Sequence, residues 1–436
     1  MMLEPAVEAL AWPKQALHDD PLYRAQIATL LQRSRFYQAK LAAAGFTRAD
    51  QVGGLDAIDQ LPFTEKDELR ASRSVDEPIG THCIARAEDI VRIYSTSGTT
   101  GAPSYIPLTA FDLDVWLRTS SRSYAASGIQ AGERIVTTYG AGPFVAGAAL
   151  EAFQRLGLCH IPVGTGNTER LIAAVQLLKP AALALTPSYA LHLVEWARAR
   201  GVDTAGSSVK RILVAGEPGG GEPAMRRRIE EGWGASVTEA MGIGDISISM
   251  WGECEAKDGM HFCGRGFIHP ELIDPASGAA KPIVDGAEGE LVLTHLVNRA
   301  TPLLRFRTRD HVRFSVGPCA CGRTSPRMRC IGRTDDMLIV RGVNVFPSAL
   351  REVVNEFAPQ TSGALLVKPN APGVRQEPPL PLTIEGEGAD LAARLTRRIR
   401  DKLLVTSEVT LVPFGALPRS EYKSKLVDKG RGGNHA

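Results

Sequence analysis

The sequence predicts an α/β protein: a large N-terminal domain with mostly parallel sheets flanked by helices, then a small α+β C-terminal domain. Three observations carry that reading. From about residue 90 to 315, short β-branched runs alternate with helical stretches, as parallel strands joined by crossover helices do. The chain has 436 residues, more than one compact core accommodates. After Asp335 the pattern changes to strand, turn and helix, followed by a Pro- and Gly-rich stretch.

Residues 20–46 read as helical, with Leu22, Ile27, Leu30, Leu31, Phe36, Tyr37 and Leu41 recurring at three-to-four spacing. RIVTTYG, HIPVG, RILVAGEP and GELVLTHL are the strands of the alternating region, and 169–178 and 223–231 are among its helices. Beyond Asp335, MLIVRGVNVFPSALREVVNEF reads as strand, turn and a helix starting near Ser348. Residues 369–381 read as a surface loop or turn, and TIEG, a helix over 389–403 and VTLVPF complete the small unit. The boundary falls near 333–336, giving domains of 1–334 and 335–436.

A formal charge of +2 points to neither a nucleic-acid nor a membrane-surface partner. The basic cluster over 394–402 is the solvated face of an amphipathic helix. The first residues lack a basic segment followed by an apolar run, and no stretch approaches the ~18 apolar residues of a spanning helix. A cytoplasmic protein is expected, and seven cysteines in such a chain do not suggest a disulfide framework.

The most informative segment is YSTSGTTGAP at 94–103. Ser95, Thr96, Ser97, Gly98, Thr99, Thr100 and Gly101 are all hydroxyl residues or glycine. Glycines let backbone approach a polyphosphate, and successive N–H groups make an anion-binding nest. The order of a Walker loop is absent, and Ser/Thr/Gly clusters are also ordinary surface loops, so this chemistry alone leaves nucleotide binding open.

STSGTTGAPSYIPLT resembles the phosphate-binding motif of adenylate-forming enzymes: acyl- and aryl-CoA ligases, luciferases and peptide-synthetase adenylation domains. The resemblance is closest to the phenylacetate–CoA ligase family and covers nearly the whole chain. LPFTEKDELR at 61–70, YGAGPF at 139–144, GTGNTER at 164–170, TPSYAL at 186–191, GEP at 216–218, RFRTRD at 305–310, GRTDDMLIVRGVNVFPS at 332–348 and LPRSEYKSK at 417–425 follow in family order.

The resemblance implies a two-step reaction. A carboxylate attacks the α-phosphorus of ATP and expels pyrophosphate; a thiolate of coenzyme A then attacks the acyl-adenylate. It implies that Ser95 to Gly101 cradle the β- and γ-phosphates and that Gly216, Glu217 and Pro218 lie against the adenine. Asp310 would hold the ribose hydroxyls, and Arg333 would sit near ribose and phosphate. Asp335 and Asp336 match a hinge that makes the small domain mobile. Lys423 matches the lysine that bridges substrate carboxylate and α-phosphate, stabilising charge as the bond forms; Lys425 is its alternative. Tyr422 stands where the family carries a loop glycine. Rotation about the hinge would withdraw Lys423 and bring residues 341–347 to line a pantetheine tunnel. The resemblance is compatible with a homodimer.

Ala240-Met241-Gly242-Ile243-Gly244-Asp245 departs from the family's Tyr-Gly-x-Ser/Thr-Glu pattern. Met241 replaces the tyrosine, Gly244 the hydroxyl residue, and Asp245 the glutamate that helps to hold magnesium. Aspartate still offers a hard carboxylate to Mg2+. The acid pocket is expected from Tyr139, Gly140, Ala141, Gly142, Pro143, Phe144, Gly216, Ala240 and Met241. Such an apolar slot with one phenol suits a flat aromatic acid better than a long acyl chain.

Cys254-x6-His261 and, much later, Cys319-Ala-Cys321 supply the three thiols and one imidazole of a common structural zinc site. Independent buried residues would also account for Cys254 and His261, and Cys263 is an alternative to His261 as ligand. The function expected is an aryl-acid–CoA ligase using ATP, Mg2+ and coenzyme A. The competing readings are an adenylating enzyme whose acceptor is a carrier-protein thiol or an amine, and a non-catalytic nucleotide-binding protein.

Overall fold

The computed structural model describes residues 2–95, 104–139, 145–164, 166–341, 343–371, 373–418 and 426–428. Its main sheet has twelve strands. Five run parallel, in the spatial order Cys159–Pro162, Arg134–Thr137, Ala182–Leu185, Arg211–Val214 and Ser236–Ile243. Helices Ala148–Arg155, Thr168–Leu178, Pro187–Arg198 and Pro223–Trp233 are the crossovers that parallel neighbours require.

Alternate residues of these strands enter different cores. Val136, Leu183, Leu185, Ile212 and Val214 pack against helices Thr168–Leu178, Pro187–Arg198 and Pro223–Trp233. Ile135, Ala182, Ala184 and Leu213 pack on the opposite face against Ala149, Phe153 and Tyr124. The strands are therefore apolar at successive positions, as strands covered on both faces must be.

Past Ile243 the sheet continues antiparallel through Ser247–Glu253, Met260–Phe262, Arg327–Arg333, Phe306–Ser315, Glu288–His295, Ile268–Ile273 and Ala280–Lys281. GELVLTHL, expected among the parallel strands, lies in this half as Glu288–His295. Connection length explains the change. Between residues 236 and 333 no helix separates the strands, and connections without a crossover join antiparallel neighbours.

The helical stretch expected over 20–46 is two helices, Trp12–Arg33 and Arg35–Ala43. They meet at Ser34, whose extended backbone ends the first and whose Oγ accepts from Tyr37 N to cap the second. Tyr23, Ile27, Leu30, Tyr37 and Leu41 form their own core with Leu296 and Leu304.

A separate core holds the C-terminal unit, drawn from residues between Leu338 and Val427. Helices Pro347–Asn355 and Leu391–Leu403 pack there with strands Thr361–Val367, Leu380–Gly386 and Ser407–Val412. The stretch 369–381, expected as a surface loop, contributes strand Arg375–Gln376, which pairs parallel to Leu338–Val340 and buries Gln376. Among the described residues no helix is long and apolar enough to cross a membrane.

Candidate active site

The carboxyl ends of adjacent parallel strands bring distant motifs together, where such sheets place ligands. Tyr139 follows strand Arg134–Thr137, Thr186 follows Ala182–Leu185, and Gly216-Glu217-Pro218 follows Arg211–Val214. Ala240 and Met241 lie in Ser236–Ile243. Tyr139, Ala215 and Ala240 share one apolar cluster. Gly140, Ala141, Gly142, Pro143 and Phe144 lie outside the described residues. So do Thr96, Ser97, Gly98, Thr99, Thr100 and Gly101. The strands flanking that loop, Ile90–Ser95 and Tyr105–Thr109, pair antiparallel with Ser95 opposite Tyr105.

Gly216 has a φ of +93°, a conformation open to glycine and strained for side chains. Glu217 folds back to accept from Ser188 N at 2.8 Å, at the first turn of helix Pro187–Arg198. Its carboxylate thus fixes the turn to the neighbouring helix. Pro218 O accepts from Arg351 Nη2, a residue of the C-terminal unit. The glycines that follow are packed tightly: a Cβ at Gly220 would lie 2.4 Å from Val214 Cγ2, and one at Gly221 2.8 Å from Glu239 Oε2.

Gly242 has an equally steric reason. A Cβ there would lie 1.8 Å from Ile248 O on the neighbouring strand. The register shifts between Met241 and Ile243, and a tight turn closes with Ile246 N donating to Ile243 O at 2.7 Å. This turn carries Asp245, whose Oδ2 is 2.7 Å from Lys66 Nζ. Sequence reasoning identified the segment around Lys66 and gave it no role.

RFRTRD explains how that segment arrives. Thr64 N donates to Arg305 O and Arg307 N to Thr64 O, both at 3.0 Å, so the leader lies parallel beside Phe306. Arg305 Nε is 3.0 Å from Glu271 Oε1, its Nη1 reaches Asp59 O and Leu61 O, and its guanidinium covers Phe63. Arg307 grips Glu290 at 2.9 and 2.7 Å, and Arg309 pairs with Glu65. The three arginines of the motif dock the leader, and its aspartate faces elsewhere.

That aspartate, Asp310, is buried and stands opposite Arg333 on the adjacent strand. Arg333 Nη1 lies 3.3 Å from Asp310 Oδ1, while its Nε and Nη2 engage both oxygens of Asp335 at 2.8 and 2.7 Å. Burial opposes the Arg333 charge, but Asp310 and Asp335 outweigh it and hold its pKa above the ordinary value. Asp336 N closes a turn onto Arg333 O at 3.2 Å. One guanidinium therefore links Asp310 to the expected hinge. Lys423 and Lys425 lie outside the described residues.

The expected metal ligands converge. One donor atom from each of Cys254, His261, Cys319 and Cys321 lies within 4.8 Å of all the others. Cys254 Sγ is 3.6 Å from Cys319 Sγ, and Cys321 Sγ is 3.3 Å from His261 Nε2. A Gly322 N to Cys319 O turn of 2.9 Å folds the two thiols of the Cys-Ala-Cys loop to one side. A hydrogen bond between Cys254 and Cys321 pushes the Cys321 thiol down and the Cys254 thiol up. Cys263, the alternative ligand, instead directs its sulfur to His261 O at 3.4 Å.

The AMP-binding enzyme family model matches residues 22–295. A phenylacetate–coenzyme A ligase of Thermus thermophilus is 36% identical over 97% of both chains. That of Escherichia coli K12 is 34% identical over 90% of this chain and 89% of its own. A 2-hydroxyisobutyryl-CoA ligase in its postadenylation state, in complex with R3-HIB-AMP, superposes with a TM-score of 0.89 at 27% identity, covering 98% of this chain and 92% of its own. The same ligase with 2-HIB-AMP and CoA in its thioesterification state gives 0.72 at 27% identity, covering 97% and 91%. The chain superposes more closely on the former state of that ligase than on the latter.

Proposed function

The chain belongs to the AMP-binding enzyme family, within it to the phenylacetate–coenzyme A ligases, and from that premise we propose that it activates an aromatic carboxylic acid with ATP and transfers the acyl group to coenzyme A. The observation that carries this reading is the near full-length likeness to such ligases, the C-terminal unit included. In the first step a carboxylate oxygen bonds to the α-phosphorus and the bond to pyrophosphate breaks. In the second the coenzyme A thiolate bonds to the acyl carbon and AMP departs.

Each residue assignment is ours. Ser95 to Gly101 hold the phosphates through hydroxyls and backbone N–H groups. The backbone of Gly216 to Pro218 borders the adenine, since the Glu217 carboxylate is engaged by Ser188 N. Asp310 accepts from the ribose hydroxyls and Arg333 keeps it in place. Tyr139, Gly140 to Phe144, Ala240 and Met241 border the acid's ring. Lys423 neutralises charge between carboxylate and phosphate. Asp335 and Asp336 are the pivot between steps, at the boundary of domains 1–334 and 335–436.

Magnesium, when bound, neutralises polyphosphate charge. Asp245 is the residue assigned to it; its pairing with Lys66 means that an ammonium already sits beside the carboxylate. The cysteine–histidine quartet fits zinc: its separations match four ligands around one tetrahedral ion, and we assign it a structural role. A cytoplasmic setting, where ATP and coenzyme A are available, agrees with this chemistry.

The test is a panel of phenylacetate, benzoate, hydroxybenzoates and aminobenzoates, read by pyrophosphate release with and without coenzyme A. At least one acid should release pyrophosphate with ATP alone and consume coenzyme A thiol when it is added. Pyrophosphate release that is independent of every acid overturns the reading; acid-dependent release without thiol consumption overturns coenzyme A as acceptor.

A further inference from the structure

Helix Pro347–Asn355 is the first helix beyond the expected pivot. Ser348, Arg351 and Asn355, spaced three and four residues apart, share one of its faces. All three bond to residues of the large unit. Ser348 Oγ donates to Ile331 O. Arg351 Nη2 donates to Pro218 O and, at 2.9 Å, to Glu222 Oε1. Asn355 Nδ2 donates to Glu222 Oε2 at 3.4 Å, and its Oδ1 accepts from Arg228 Nη1 at 3.3 Å.

Arg351 is the centre of this contact. Its side chain is 4% exposed and that of Glu222 is 14% exposed, so the pair is largely removed from water. Burial works against the Arg351 charge, and Glu222 outweighs it. The large unit is built to receive it. Glu222 immediately precedes helix Pro223–Trp233, and Arg226, inside that helix, holds Gly220 O at 2.8 Å and Glu253 Oε2 at 2.5 Å. Gly219 has a φ of +133°, and a Cβ there would lie 3.2 Å from Arg351 Nη2. Gly219 therefore lets the turn fold beneath the guanidinium, while Gly220 and Gly221 close against Val214 and Glu239.

We propose that Arg351 is the latch of the adenylating arrangement: a positioning residue that docks the C-terminal unit on the Gly216–Pro218 turn for the first half-reaction and must let go for the second. This rests on the two-step function assigned above. The bonds run between two units with separate cores, so rotation about Asp335 and Asp336 breaks them together. The turn that Arg351 grips is the one assigned to the adenine, so the position of the C-terminal unit is tied to the nucleotide pocket. Buried charge pairs are geometrically strict, which suits a device with one closed position.

The experiment separates the half-reactions in the full-length protein with phenylacetate as the acid. Adenylation is followed as single-turnover pyrophosphate release without coenzyme A. Thioester formation is followed from supplied phenylacetyl-AMP and coenzyme A. Arg351→Met is expected to slow adenylation about tenfold or more, the scale set by loss of a charged hydrogen bond, and to leave thioester formation unchanged or faster. Arg351→Lys should recover part of the loss. Equal slowing of both steps, or of neither, overturns the latch. Should Arg351→Met not fold, Glu222→Gln carries the same expectations. A wild type that releases no pyrophosphate with any acid refutes the function instead. The latch is then read by small-angle scattering, where an unchanged distance distribution in the variant overturns it.

Discussion

Lys66 Nζ lies 2.7 Å from Asp245 Oδ2, although 179 residues separate the two in the chain. Lys66 opens helix Lys66–Ala71, and Asp245 occupies the turn after strand Ser236–Ile243. The leader that delivers Lys66 is docked by Arg305, Arg307 and Arg309.

Lys66→Met keeps the aliphatic stem and removes the charge. A charged hydrogen bond contributes about 1.5–3 kcal/mol, and the lower end applies because Lys66 is 30% exposed. The unfolding free energy should fall by about 1.5 kcal/mol, read from urea midpoints, with circular dichroism unchanged. Asp245→Asn should then cost less in the Lys66→Met background than in the wild type. Additive losses across the four proteins would show that the pair is uncoupled.

The quartet of Cys254, His261, Cys319 and Cys321 predicts one zinc per chain by elemental analysis. Cys319→Ser and Cys321→Ser should lose the metal and lower stability, by roughly 4 kcal/mol where zinc stands a thousandfold above its Kd. Cys263→Ser should retain the metal, because its sulfur points to a backbone carbonyl. Zinc retained in full by both Cys319→Ser and Cys321→Ser removes the assignment.

That quartet was legible in the sequence because a thiol or imidazole has few reasons to recur in Cys-x-Cys and Cys-x6-His spacing. The parallel half of the sheet was legible too, since each crossover helix writes its own periodicity. The antiparallel half has no such mark: Glu288–His295 is as buried as a parallel strand, and its direction depends on the absence of a helix before it. Lys66 and Arg351 escaped for a related reason. Each is an ordinary charged helix residue, and its importance comes from a partner far along the chain. Gly242 could be read as retained, but the carbonyl of Ile248 that forbids a side chain there exists only once the strands pair.

Glu239 predicts a pH dependence. It is half-buried behind Gly221, and desolvation there, reinforced by the charge of Glu253, pushes its pKa up to about 7; Arg226 acts in the opposite direction and Glu222 adds to the rise. The folded state therefore binds this proton more tightly than the unfolded chain does. Its contribution is fully present below the ordinary carboxylate value of 4.5 and is lost as pH rises towards 7. The loss is of order 3 kcal/mol, at about 1.4 kcal/mol per unit. Urea midpoints of Glu239→Gln should gain on the wild type between pH 5 and 8. Parallel pH profiles for the two proteins would remove Glu239 as the cause.

Lys423 carries the sharpest expectation, although its position lies outside the described residues. A cation that acts only on charge developing between carboxylate and α-phosphorus contributes to the transition state and little to ground-state nucleotide binding. Lys423→Ala should therefore lower single-turnover adenylation at least a hundredfold and leave the Kd for ATP within a few-fold. Thioester formation from supplied acyl-AMP should persist, because the proposed rotation would withdraw the lysine in that step. Lys425→Ala, two residues away, is the control that decides between neighbours: if it stops adenylation and Lys423→Ala does not, the cation is Lys425.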